Sequence, residues 1–450
     1  MCDSLIALKS DTADGVAIFA KNSDRPPNEG QFLKYIPAQD HPKRETVQCT
    51  YIEIPQAAHT NAVLLSKPYW IWGAEMGVND HHVVIGNEAV FPRVPPEKNT
   101  RLIGMDLVRL GLERGDTASE ALNVIIALLE ELGQGGSCIV GSEYYYSSFL
   151  IADPQDAWVL ETAGPRYAVK HVAQSDSISN YLTIGTDYDH KLSSLDLAEY
   201  AVQQGWAKSV KDFHFGDAYN DFLYTTLARG RNRRAVTLGA MQARKGQLTL
   251  QDMIGVLRKH EPDGDRAANW EPQNGFIFSM DVCMHSGFGP IRDSNCAGSM
   301  VVHLDQQRPT IFVTGTASPC TSIFKPVWMD AGLPDIGPAP TDEYLSQLSS
   351  LFWQHELLHR ATIQDYGHRI AAYADERDAL EKEFVEGGLA RAGASAKKRR
   401  QFSADCFAKA LASERIWYER LQQIPAKPKA AWFYNYAWNK FNQQANMPKV

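Results

Sequence analysis

The 450-residue sequence predicts an α+β fold with a helical C-terminal extension. Three observations carry that reading. Strand-like runs come in blocks and do not alternate regularly with helices. Helical stretches stand between the blocks. A Pro/Gly-rich linker, residues 332–340, separates the strand-bearing part from a stretch with helical signals only. The expected domains are therefore 1–335 and 341–450, the second a helical hairpin packed on the first and offering a homo-oligomer contact.

The opening residues organise the rest. Cys2-Asp3-Ser4-Leu5-Ile6-Ala7-Leu8 and Gly15-Val16-Ala17-Ile18-Phe19-Ala20 flank a turn-rich segment ending in Asp14-Gly15, the pattern of a β-hairpin. Cys2 follows Met1 directly and is small enough to permit methionine removal. It would then carry a thiol and a free α-amine on one carbon. A thiol titrates near ~8.5 and an α-amine near ~7.7–8.0, so the amine can serve as base for its own thiol. The second strand carries Lys21, Asn22 and Asp24. A cation there can hold a thiolate, and a carboxylate can orient an ammonium. The competing reading is an edge hairpin with a solvated polar tip.

Val47–Ile54 alternates at period two, as a strand does. Residues 70–79 combine Trp70, Trp72, Gly73 and Glu75, which reads either as a turn packed by tryptophan or as a pocket wall binding substrate. Val83–Gly86 is a short buried strand that delivers Asn87 and Glu88. Residues 101–113 and 117–132 are helical, the second opened by the capping box Thr117-Ala118-Ser119-Glu120. Strands return over 148–152, 157–162, 167–170 and 181–184, with Asn180 at a strand start. Residues 192–260 read as helical, with Thr249 and Asp252 spaced as an N-cap. Within them stands Arg229-Gly230-Arg231-Asn232-Arg233-Arg234, either a solvated helix end or the source of one inward arginine. Strands are expected over 276–280, 298–304 and 310–314. Two long helices are expected over 341–386 and 396–424.

Composition excludes several classes. The net charge of −8 argues against nucleic acid as a partner. No apolar run reaches the ~18 residues of a membrane span. No basic n-region opens the chain, so a secreted route is not expected. Seven scattered cysteines without a CxxC pair read as cytosolic thiols and not as a zinc knot. No GxxxxGK[ST], GxGxxG or GxSxG motif occurs, which leaves nucleotide binding and the commonest serine hydrolases without support.

His355-Glu356-Leu357-Leu358-His359 matches HExxH and is the strongest rival. On a helix both histidines share a face, with Glu356 as base and His368, Glu381 or Glu383 as third ligand. The metzincin continuation is absent. Cys283-Met284-His285 and His81-His82 read as packing or pocket residues, so no metal ligand is assigned.

Longer motifs carry a resemblance. Cys2-Asp3-Ser4-Leu5, Lys21-Asn22-Ser23-Asp24-Arg25-Pro26 and Trp70–Asn79 resemble the secernin group of the C69 dipeptidase family. So do Ile178–Gly185, Thr314–Ser322 and Trp353–Arg360, which extends the likeness over nearly the whole chain. That family lies among the N-terminal-nucleophile hydrolases. The resemblance implies a four-layer αββα sandwich and amide hydrolysis by a mature N-terminal Cys2 through a thioester. It implies Asn180 and Asn87 as oxyanion donors and Asp24 as the group holding the Cys2 α-amine. It implies Arg231 in the polar network, with Arg229 and Arg234 competing for that place. One departure stands out: bile salt hydrolase relatives carry Arg where this chain has Lys21, and a point charge replaces a fork. The expected function is a cytoplasmic dipeptidase or amidohydrolase acting on a small peptide or amide without a cofactor. A non-peptidase interaction or secretion role, known for secernin-like proteins, is the alternative.

Overall fold

The structure is a computed structural model and describes residues 1–260, 270–273, 280–287, 292–345, 348–426 and 432–448. The chain forms two compact units. One comprises Met1–Phe19, Tyr35–Leu65 and Ile71–Gly246; the other comprises Ala20–Lys34, Ser66–Trp70 and Gln247–Val450.

In the first unit, β1 (Cys2–Ala7) is buried at every position. β2 (Ile18–Arg25) is buried throughout as well and carries the chain into the second unit. An antiparallel sheet is built from β3 (Met76–Asn79), β4 (Val84–Val90), β5 (Tyr146–Ala152), β6 (Ala157–Ala163) and β7 (Arg166–His171), in the order β7-β6-β5-β4-β3. Helices α1 (Gly104–Arg114) and α2 (Ala118–Glu131) cover one face. Ile85, Phe149, Ile151, Leu160 and Val169 of the strands meet Leu107, Leu112, Leu122 and Ile125 of the helices in one buried core. Each such side chain contributes about 1.5–3 kcal/mol. The predicted cap is present: Thr117 Oγ1 accepts from the Glu120 amide at 3.1 Å, while the Glu120 carboxylate reaches the Asp116 amide at 3.0 Å.

On the other face, β1 pairs antiparallel with β8 (Asp176–Ile178), Ser4 opposite Ile178 and Ile6 opposite Asp176. This pair lies over β4 and β5, and α3 (Gly230–Ala243) packs against it. The first unit is therefore layered α, β, β, α.

The second unit holds an antiparallel run of β9 (Asn295–His303), β10 (Thr310–Val313) and β11 (Lys325–Val327). Packed around it are α4 (Leu250–Leu257), α5 (Leu351–Thr362), α6 (Ala374–Ala390) and α7 (Ala396–Gln422), with α8 (Trp432–Gln444) completing the chain. Thr249 is the expected N-cap of α4, and Asp252 completes a capping box with it. The long helix expected over 341–386 is instead broken. Ser350 caps a later start by accepting from the Trp353 amide. At the far end, Arg369 donates to the Ala361 carbonyl at 2.5 Å, so a side chain satisfies an orphan carbonyl and the chain turns. Residues 192–260 likewise form several short helices in place of continuous helix. Residues 276–279 of the expected 276–280 strand lie outside the described residues.

Candidate active site

Four elements of the first unit converge on the start of β1. The Cys2 backbone nitrogen donates to Asn180 Oδ1 at 2.8 Å. The Cys2 thiol points at Glu75 Oε2, 4.0 Å away. Both residues are buried, as is Asn180. Asn180 stands two residues past the end of β8, so the β1–β8 pairing brings its amide beside residue 2. Its Nδ2 donates to the Ala89 carbonyl on β4 at 2.8 Å. Its oxygen thus faces the Cys2 nitrogen and its nitrogen the Ala89 carbonyl.

The inward arginine is Arg233. Its Nη1 donates to the Cys2 carbonyl at 3.1 Å and to Asp3 Oδ2 at 2.5 Å, and its Nη2 donates to Asn180 Oδ1. Arg231 is exposed, with its guanidinium over the Tyr181 ring at 4.9 Å. Arg234 bonds Ser177 O and Asp176. This corrects the expectation for Arg231, and helix phase is the reason. The buried stripe of α3 is Gly230, Arg233, Thr237 and Met241, one face at i, i+3, i+7 and i+11. Residue 231 points about 200° away from residue 233 on that wheel. Gly230 makes the approach possible, because a Cβ there would stand 2.9 Å from Tyr181 and 3.2 Å from the Asn180 backbone.

Asn87 lies within β4, not beyond its end. With the amide turned so that its nitrogen faces Glu75, Asn87 donates to the Glu75 carbonyl at 2.9 Å and to Glu75 Oε2 at 3.3 Å. Because side chains alternate along a strand, its neighbour Glu88 presents to β1, where it accepts from Ser4 Oγ at 2.5 Å. The sequence reading assigns Glu88 no role, although its place one residue after Asn87 carries that information.

Trp72 packs on α1. The Arg109 guanidinium lies 3.8 Å from its ring centroid and donates to its carbonyl at 3.0 Å. Beyond Ala89, β4 runs to a cavity of about 290 Å³ lined by Val90, Phe91, Tyr144, Tyr145, Tyr146 and Tyr224. Phe91 and Tyr224 stack there with centroids 5.4 Å apart.

Lys21, Asp24 and Trp70 belong to the second unit. Lys21 is fully buried, with Nζ 3.4 Å from the Asn22 carbonyl. Asp24 Oδ1 accepts from the Cys296 thiol at 2.7 Å. Burial pushes that thiol up to about 12, and the carboxylate pushes the same way, so Cys296 is the proton donor. Trp70 Nε1 donates to Glu29 at 2.5 Å.

The HExxH stretch lies on α5, but its histidines do not converge. His355 Nδ1 lies 3.1 Å from Glu414 Oε2 as an ion pair, and its Nε2 bonds Thr321 at 3.2 Å and Ser322 at 3.1 Å. His359 bonds Glu356 at 3.0 Å and Ser318 at 3.1 Å. Glu356 is held by Arg360 at 2.6 Å, Glu381 pairs with Arg258, and Glu383 pairs with Lys409. Among the described residues these side chains form no metal-holding group. Burial alone would raise the Glu356 carboxyl, but the Arg360 and His359 charges outweigh it and hold it at about 2. A folded-state value below the ordinary 4.5 adds stability that is complete above pH 4.5 and drains away toward pH 2. Urea titrations at stepped pH should therefore show a shallower acid limb in Glu356→Gln than in the parent; equal limbs would contradict the paired carboxylate.

A layered αββα unit whose first strand begins at a buried cysteine is the architecture of the N-terminal-nucleophile hydrolases. The chain belongs to peptidase family C69, whose sequence model matches residues 1–226. Solved structures to which the chain is similar include penicillin V acylase from Agrobacterium tumefaciens, 12% identical over 73% of this chain and 86% of that one, with a TM-score of 0.42. A variant of conjugated bile acid hydrolase from Clostridium perfringens is 12% identical over 73% of this chain and 93% of its own, with a TM-score of 0.43. The Caenorhabditis elegans ortholog of N-acylethanolamine-hydrolyzing acid amidase is 11% identical over 67% and 93%, with a TM-score of 0.32.

Proposed function

We propose that this hydrolase is a secernin-type dipeptidase of the cytoplasm, with Cys2 as nucleophile after removal of Met1. The observation that carries the reading is the environment of residue 2. Its nitrogen rests on Asn180 Oδ1 at 2.8 Å and its thiol faces Glu75 at 4.0 Å. Freed of Met1, that nitrogen is an α-amine one carbon from the thiol-bearing Cβ. It takes the thiol proton as sulfur attacks the substrate carbonyl, then gives it to the leaving amine. The thioester is hydrolysed by water that the same amine activates. Arg233 and the Asn180 oxygen keep the amine in place, and the amide nitrogens of Asn180 and Asn87 are assigned to the developing oxyanion, as the family resemblance implies.

Glu75 supports a peptide with a free amino terminus. A carboxylate beside the nucleophile suits the α-ammonium of a substrate whose first carbonyl is attacked, since those two groups share one carbon. The aromatic cavity past Val90 suits an apolar side chain. For Glu75→Gln we expect KM for free dipeptides to rise about tenfold or more, with little change for N-acetylated analogues. Equal effects on both would remove the ammonium from the reading. The nucleophile is tested by N-terminal peptide mapping with limiting alkylator. Loss of Met1 and preferential labelling of Cys2 are expected; retained Met1, or labelling no faster than at the other cysteines, would overturn the mechanism.

A further inference from the structure

A second group of reactive side chains lies in the second unit. His260 follows the end of α4, Cys283 and His285 sit in the segment before β9, and Cys320 stands in the loop between β10 and β11. All four are buried, and one ligating atom from each lies within 4.8 Å of the others. The two imidazole Nε2 atoms are 3.2 Å apart. His285 Nε2 is 3.5 Å from Cys283 Sγ and 3.3 Å from Cys320 Sγ.

From these positions we propose that His260, Cys283, His285 and Cys320 form a structural Cys2His2 site for one zinc ion.

The distances fit that ion. Zinc holds imidazole nitrogen at ~2.0–2.1 Å and thiolate sulfur at ~2.3 Å, so tetrahedral donors stand roughly 3.3–3.8 Å apart. The separations of 3.2, 3.3 and 3.5 Å fall at or near that range. Two thiolates and two imidazoles are the wrong donors for the hard cations calcium and magnesium. Four protein donors complete a tetrahedron, so the site is closed and structural, with no position left for substrate or water.

The surroundings hold the ligands in place. Trp270 lies flat on the His260 ring, with centroids 3.6 Å apart and planes at 3°, and Tyr366 meets both rings edge-on. The Cys283 amide donates to the Lys259 carbonyl at 3.1 Å, tying two ligand segments together. Arg377 donates to the Cys320 carbonyl, and Arg258 takes the flanking carbonyls of Pro319 and Ser322 at 2.8 and 3.0 Å. The segment between Cys283 and His285 reaches further: the Met284 amide donates to Cys296 Sγ at 3.1 Å, and Cys296 bonds Asp24. An ion at the cluster would therefore fix the loop that seats Cys296 against β2.

The sequence alone reads Cys283 and His285 as packing residues. The correction is tertiary in origin, because the four ligands are spread from residue 260 to residue 320 with no CxxC or HxxxH spacing.

The test is metal analysis of the full chain after dialysis against zinc-replete and then metal-free buffer. One equivalent of zinc is expected in the parent, falling below about a tenth in Cys283→Ser/Cys320→Ser, and staying at one in His355→Gln, which changes the HExxH stretch alone. Because the double variant could misfold, cobalt exchange into the parent provides an independent reading. Thiolate-to-cobalt charge transfer with intense tetrahedral d–d bands is expected. Less than a tenth of an equivalent in the parent, zinc retained by the double variant, or a cobalt spectrum without thiolate bands would each overturn the proposal.

Discussion

Cys2→Ala is expected to lower kcat/KM for a cleaved dipeptide by at least about 10⁴-fold, because no other group in the proposed chemistry can form the acyl-enzyme. Cys2→Ser should also be severely impaired, since a hydroxyl holds its proton far more tightly than a thiol and the α-amine is a weak base for it. The fold should survive both changes. Cys2 is small and its backbone makes the structural contacts, with its nitrogen on Asn180 and its carbonyl on Arg233. A stability change within about 1 kcal/mol is therefore expected from urea unfolding. Full activity in Cys2→Ala would sink the nucleophile assignment, whatever the state of Met1.

Arg233→Met should cost both stability and activity. Arg233 and Asp3 are each 1% exposed and form a buried ion pair. Removing one member of such a pair leaves an uncompensated charge, at about 3–5 kcal/mol. The same guanidinium also holds the Cys2 carbonyl and Asn180 Oδ1, so the residue that seats the amine is loosened as well. Asp3→Asn/Arg233→Met separates the two effects. It should recover much of the lost stability, because no charge is stranded, while kcat stays low because Asn180 still lacks its second donor. Arg231→Ala provides the contrast, with both quantities within error of the parent. If Arg231→Ala were the damaging change, the helix phase assigned to α3 would be wrong.

The legibility of the sequence follows the range of the interactions involved. The N-caps at Thr117 and Thr249 act over three residues, and both are readable. The strand at Cys2–Ala7 and the buried strand before Asn87 are readable from local apolar patterning, though β4 runs on to Val90. The break after Thr362 is not, because the group that ends α5 is a side chain from a later turn, Arg369. HExxH misleads for a related reason. Two histidines on one helix face are compatible with a metal, but Glu414, Thr321, Ser322 and Ser318 arrive from elsewhere in the chain and satisfy them separately.

By itself, then, the sequence determined the α+β class, the helix caps, the buried cysteine strand at the start and the family to which the chain belongs. Each of these rests on neighbouring residues or on long continuous motifs. Only the tertiary structure decided which of four clustered arginines turns inward, that Asn180 presents its oxygen to the Cys2 nitrogen, and that two cysteines and two histidines from three segments meet at one point. Those outcomes depend on the rotation of a helix about its axis and on loop ends brought together across the fold, which a linear pattern of residue types does not encode.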